Sequence, residues 1–148
     1  MDPQVRVEAA VAEQEFRVRA IGWVESPLVE RAGAPRQGDE GGPEAWVVFE
    51  AGVERGLRDL AVGQEVLLLT WLHQADREVL AVHPRGERSR PETGVFATRS
   101  PDRPNPIGLH RVTVLAVDGP RLRVEGLEAI DGTPVLDVKP VLPGLSER

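Results

Sequence analysis

The sequence predicts an all-β chain, a single small antiparallel β-barrel with long loops and little helix, on three observations. Apolar residues come in short runs punctuated by glycine and proline, too short and too often interrupted for helices. Eight of these runs read as strands: Phe16 to Val24, Ala45 to Glu50, Glu65 to His73, Val79 to His83, Gly94 to Thr98, Arg111 to Asp118, Arg121 to Leu127 and Val135 to Val138. Asp118-Gly119, set between the alternating stretches VTVLAV and RLRVEGL, is a strong short hairpin signal. Only Val53 to Leu60 suggests a helical turn, with Leu57 and Leu60 toward the core.

Length and charge set the limits. A chain of 148 residues fits one domain large enough to bury a core without staples. Residues 1–15 read as an N-terminal arm, 16–142 as the barrel and 143–148 as a tail. Net charge −6 argues against binding nucleic acid or membrane through the protein's overall field, so any such contact has to be local. The absence of cysteine excludes disulfides, thiolate metal sites and a cysteine nucleophile, and a cytoplasmic location is the expectation. The longest nearly apolar run, Val66 to Leu72, is far below the roughly 20 residues that span a bilayer, and the first residues lack the pattern of a signal peptide.

Charge is uneven. Arg85 to Arg111 contains six arginines and three acidic residues, net +3, on a remainder that is −9. Composition alone allows a solvated arginine-rich loop as readily as an anion site. The prolines of Ser100-Pro101-Asp102-Arg103-Pro104-Asn105-Pro106 fix their own φ and push the preceding residues to extended geometry, which stiffens the loop. A stiff loop presents Arg99, Arg103 and Asn105 with little ordering entropy left to lose; a purely structural turn is the alternative. The other long loops are Arg31 to Pro43 and Pro84 to Thr93, too rich in glycine, proline and charge for strands.

The stretch GVFATRSPDRPNPIGLH, Gly94 to His110, closely resembles the signature of the TsaA-like family, the TrmO-type tRNA methyltransferases. The resemblance continues at Ile21-Gly22, Ser26-Pro27, Pro35-Arg36-Gln37, His73-Gln74 and DGTPVLDVKP from Asp131 to Pro140, and covers roughly residues 16 to 142. It implies a single-domain antiparallel barrel, not a Rossmann fold, that forms a homodimer and binds S-adenosylmethionine near the subunit interface. It also implies methylation of N6 in the threonylcarbamoyladenosine beside the tRNA anticodon. Three features depart from the family pattern: Val62-Gly63-Gln64 replaces a common Phe-Ser-His, Val141 replaces the tyrosine of Lys-Pro-Tyr, and Glu128 stands at a frequent aspartate.

By the resemblance, Pro35, Arg36, Gln37, His73, Gln74, Thr98, Arg99, Leu109, Leu127 and Glu128 are cofactor-binding. Arg36 or Arg99 suits the methionyl carboxylate through a bidentate pair, and Gln37 with backbone groups near Leu127 suits the adenine and ribose edges. A histidine such as His73 at the end of an apolar strand is, without the motif, simply a satisfied residue at a sheet edge. The reaction needs no metal, because the sulfonium already activates the methyl group. An N6 bearing a carbonyl substituent is a poor nucleophile, so a base is expected: Asp131 or Asp137, with His73 as the third candidate. Arg85, Arg88, Arg90, Arg103, Asn105 and Lys139 are the expected tRNA contacts. Asp137 and Lys139 share a sheet face, and a buried ion pair is the structural alternative for them. Two other functions stay open, a methyltransferase for a non-tRNA substrate and a non-catalytic S-adenosylmethionine-binding module.

Overall fold

The computed structural model describes residues 2–3, 14–27, 44–84 and 87–144. Six strands close into a barrel: β1 (Gly22–Glu25), β2 (Ala45–Phe49), β3 (Glu65–Trp71), β6 (Ile107–Asp118), β7 (Arg121–Glu125) and β8 (Pro134–Pro140). Their order round the barrel is β1-β2-β7-β6-β3-β8, with every pairing antiparallel and β8 returning to β1. A separate two-stranded ribbon joins β4 (Ala81–Val82) to β5 (Thr93–Gly94). The two 3-10 helices that bear on the barrel are Ala51–Leu57 and Val95–Ala97.

Alternation decides what faces inward. In β2, Ala45, Val47 and Phe49 are buried and the residues between them less so; in β7, Leu122 and Val124 are buried. These side chains meet Val24, Val66, Leu68, Val112, Val114 and Val135 in one core, capped by Leu57 with Leu60 packed against it, the two residues expected to face inward. Leu67 points outward yet is 5% exposed. It lies between Arg111 on β6 and Lys139 on β8, whose aliphatic stems can cover it.

Three sequence expectations are corrected. The strand at Phe16 to Val24 shortens to β1, because residues 14–20 are all exposed and outside the sheet, with Phe16 at 81%. Of Gly94 to Thr98 only Gly94 lies in a strand, as the last residue of β5. Thr98 donates both its amide and its hydroxyl to Val95 O, and such local bonds turn the backbone into a 3-10 turn instead of a ladder. β6 begins at Ile107, four residues before the expected Arg111, and its first seven residues, Ile107 to Thr113, pair with β3. The β6–β7 hairpin falls where expected, with Asp118 paired to Arg121 and Gly119-Pro120 as the two centres of the turn. Gly119 takes φ 57° and Pro120 holds a negative φ, the type II′ order, whereas type I′ needs positive φ at both centres.

Candidate functional site

Strand register gathers most of the predicted residues at one end of the barrel. Trp71 pairs with Ile107, so the turn carrying His73 and Gln74 meets the start of β6. Beyond the Trp23–Pro134 pair the chains stay together: Val24 N donates to Thr133 O and Ser26 N to the Asp131 carboxylate at 3.0 Å. The segment after β7 runs back along β6 and places Glu128 beside His110. The chain leaves the described part at Pro27 and returns at Glu44, both at this end by the Glu25–Trp46 pairing. Pro35, Arg36, Gln37 and Arg85 lie outside the described residues.

The proline-rich loop is pinned to the His73-Gln74 turn. Leu72 N donates to Pro106 O at 2.8 Å, Asp76 N to the Asp102 carboxylate at 2.9 Å and Arg77 Nε to Pro104 O at 2.7 Å. Arg77 also reaches the Asn105 side-chain oxygen at 3.2 Å and stands over the Trp71 ring, 5.2 Å from its centroid. Arg103 turns inward and donates to Val95 O and, at 2.9 Å, to Thr98 O. Arg103 and Asn105 therefore brace the loop, and Thr98 fixes its corner by accepting from Ser100 N. Arg99, His73 and Gln74 are exposed around it.

The remaining residues divide by direction. Leu109 points outward from β6, level with Leu69 and then Asp137 across three neighbouring strands. Leu127 is wholly in the core, so its backbone is the part left for a ligand. Asp137 accepts from its own neighbour's amide, Val138 N, and pairs with Lys139 at 3.3 Å. That ion pair is solvent-facing, not buried. Lys139 sits opposite Leu67, further from the gathered end than Asp137. Arg88 and Arg90 are exposed, with Arg90 held by Glu87 at 2.8 Å.

Two polar residues that sequence reasoning passed over lie at the centre of this end. Thr70 and His110 are buried on the inner face, with Thr70 Oγ1 and His110 Nε2 2.7 Å apart. His110 Nδ1 is 3.3 Å from Glu128 Oε1. The available signal was the alternation Gly108, His110, Val112, hidden once the strand is started at Arg111. The other carboxylate oxygen, Glu128 Oε2, is buried and has no hydrogen-bond partner among the described residues. A lone buried acceptor costs about 1–3 kcal/mol, more if charged, so this oxygen is suited to a donor brought in by a ligand. The Glu128 side chain as a whole is 17% exposed, so the residue lies just beneath the surface of the barrel end. On that observation the residues present fit a cofactor bearing hydroxyl and ammonium donors. Among the described residues, no three acidic or histidine side chains converge as metal ligands.

The sequence matches the family of the tRNA-methyltransferase O N-terminal domain over residues 23–146. A probable S-adenosyl-L-methionine-binding protein of Methanothermobacter thermautotrophicus is 42% identical over 130 residues, covering 88% of this chain and 93% of that one. An S-adenosyl-L-methionine-binding protein of Archaeoglobus fulgidus is 40% identical over 126 residues, covering 85% and 89%. The crystal structure of TrmO from Pseudomonas aeruginosa superimposes with a TM-score of 0.71 at 30% identity, over 91% of this chain and 61% of that one. The chain thus spans about three fifths of the solved TrmO chain it matches. With 124 of its 148 residues inside the match, and relatives of this identity along most of its length, the chain belongs to the tRNA-methyltransferase O N-terminal domain family.

Proposed function

We propose that this protein binds S-adenosylmethionine at the barrel end formed by Glu128, the 95–106 loop and the His73-Gln74 turn, and transfers its methyl group to an RNA base. The observation that carries the reading is the unpartnered, enclosed Glu128 Oε2 set among motif residues of a family whose relatives are named for binding this cofactor. When bound, the cofactor supplies a methyl group made electrophilic by its sulfonium. The residues' work is to hold, orient and exclude water. Arg99, with Arg36 from the first loop, suits the methionyl carboxylate, and Glu128 accepts from a cofactor donor. The braced proline loop gives these contacts little freedom to lose on binding.

The finer reading is methylation of N6 in threonylcarbamoyladenosine of tRNA, with Arg85, Arg88 and Arg90 meeting phosphates. Asp131 is the favoured base over Asp137: one of its oxygens accepts from Ser26 N, and among the described residues the other has no partner, whereas both Asp137 oxygens are engaged. A second copy of the chain would cover Leu80, Phe96 and Ile107, exposed apolar side chains flanking the signature loop, Phe96 at 82%. A cofactor-binding module without turnover is the second reading, supported by relatives of near-equal length that are named only as binding proteins.

Titration calorimetry with S-adenosylmethionine, followed by transfer of labelled methyl to tRNA and mass spectrometry of its nucleosides, tests these readings in order. Saturable binding with methyl appearing in threonylcarbamoyladenosine is the expected result. Binding without transfer to any RNA selects the module, and absence of binding overturns both.

A further inference from the structure

Three side chains from three parts of the chain make a buried polar relay that the proposed chemistry does not itself require. Thr70 comes from β3, His110 from β6 and Glu128 from the segment after β7. His110 is 5% exposed in its side chain and Thr70 is fully buried. A hydrophobic residue at either position would be cheaper for the core alone, since an imidazole and a hydroxyl must be desolvated and matched. Gly108 is part of the arrangement: a Cβ there would stand 2.7 Å from His110 Nε2, and closer still to Thr70 Oγ1. The backbone is thus left without a side chain where the imidazole edge lies.

We propose that His110 is a positioning residue for Glu128, holding the carboxylate through Oε1 so that Oε2 faces a donor of the bound cofactor. The inference rests on the cofactor reading above. The imidazole has two nitrogens, and each has one partner. Nδ1 lies against Glu128 Oε1 and Nε2 against the Thr70 hydroxyl, and the relay requires the tautomer in which Nδ1 donates to the carboxylate and Nε2 accepts from the hydroxyl. Thr70 is β-branched and stiff at χ1, so it fixes the ring, and the ring fixes the carboxylate. Glu128 otherwise has a broad terminal torsion, and without His110 its two oxygens would sample many orientations. The relay converts a mobile acceptor into a directed one.

The test is a double-mutant cycle on S-adenosylmethionine affinity, read by calorimetry with the full chain, using His110→Gln, Glu128→Gln and the pair. His110→Gln and Glu128→Gln should each weaken binding about tenfold, and the double variant should bind no more weakly than Glu128→Gln alone. Losses that multiply would show that His110 acts independently of Glu128 and overturn the proposal. So would unchanged affinity in His110→Gln. If that variant fails to fold, Thr70→Val and long-range nitrogen NMR of the imidazole give the answer in a protein that keeps both groups. A proton resident on Nδ1, lost or mobilised in Glu128→Gln, supports the relay; a proton resident on Nε2 with Nδ1 bare overturns it. A wild-type protein that binds no S-adenosylmethionine fails at the earlier step and removes the cofactor reading together with this one. Wild-type binding with an indifferent His110 removes only the relay.

Discussion

Gly108→Ala is the sharpest structural perturbation this chain offers. The new methyl group would sit 2.7 Å from His110 Nε2 and 3.0 Å from Leu72 Cδ2, with Thr70 Oγ1 nearer than either. Ordinary contact begins near 3.5 Å, so at least one neighbour has to move. Thr70 cannot rotate away easily, because it is β-branched, wholly buried and paired on both sides, with Gly108 on β6 and Val135 on β8. Displacing it breaks the 2.7 Å bond to His110. Overpacking a tight site costs about 1–3 kcal/mol, and stranding a buried polar group a similar amount. The sum, about 2–6 kcal/mol, corresponds to a fall in Tm on the order of 10 °C for a chain of this size. Thermal unfolding followed by circular dichroism measures it. Adding Thr70→Ala should return part of the loss by making room, so the two substitutions should be markedly non-additive. A Gly108→Ala protein melting within about 1 °C of wild type would refute the account of a crowded polar end.

Gly56→Ala, where an added Cβ meets nothing within 4 Å, should be neutral or stabilise by roughly 0.4–1 kcal/mol in urea unfolding. Leu127→Ala should cost about 2–5 kcal/mol, since the side chain is fully buried, whereas Leu127→Met should fold well and keep cofactor affinity because only backbone is left for contact. Arg103→Lys should lower cofactor affinity by loosening the loop yet leave the salt slope of tRNA binding unchanged, while Arg88→Ala should reduce that slope by about 1. Hydrogen bonding and charge from Arg111 hold the Glu65 carboxyl below its ordinary range, so the pair's contribution is present above the unfolded carboxyl's pKa and fades as pH falls through the folded one. Carboxyl NMR should show Glu65 titrating higher in Arg111→Gln, and added salt should shrink the difference.

Much of the barrel was legible because alternation and burial coincide in β2, β6 and β7, while β3 announces itself as a short apolar run. What alternation could not supply was where pairing stops. FRVRA alternates as a strand should, but Phe16 and Val18 are exposed and outside the sheet, because a two-residue period specifies a face and not a partner. FAT, between Gly94 and Arg99, is apolar enough for a strand, yet the carbonyl of Val95 collects the amide and hydroxyl of Thr98 and the guanidinium of Arg103. No single-residue preference reveals a carbonyl shared three ways. Arg103 and Asn105 look in sequence like groups offered to a ligand, and what sequence does not reveal is that Arg77, nearly thirty residues earlier, holds Asn105 Oδ1 and the Val95 turn holds Arg103 Nη2.

The motif residues consequently do different physical work although they sit in one sequence block. Gly108 and Thr98 shape backbone, Arg103 and Asn105 stiffen the loop, Leu109 turns outward, and His110, the last residue of the block, faces the interior with Thr70 and Glu128. A block of this kind keeps its composition for several reasons at once, so residue identity alone does not separate a ligand contact from its support. Geometry does separate them here. A guanidinium nitrogen bound to two of the chain's own carbonyls, as in Arg103, is support, and an enclosed carboxylate oxygen with no donor among the described residues, as in Glu128, is where a ligand belongs.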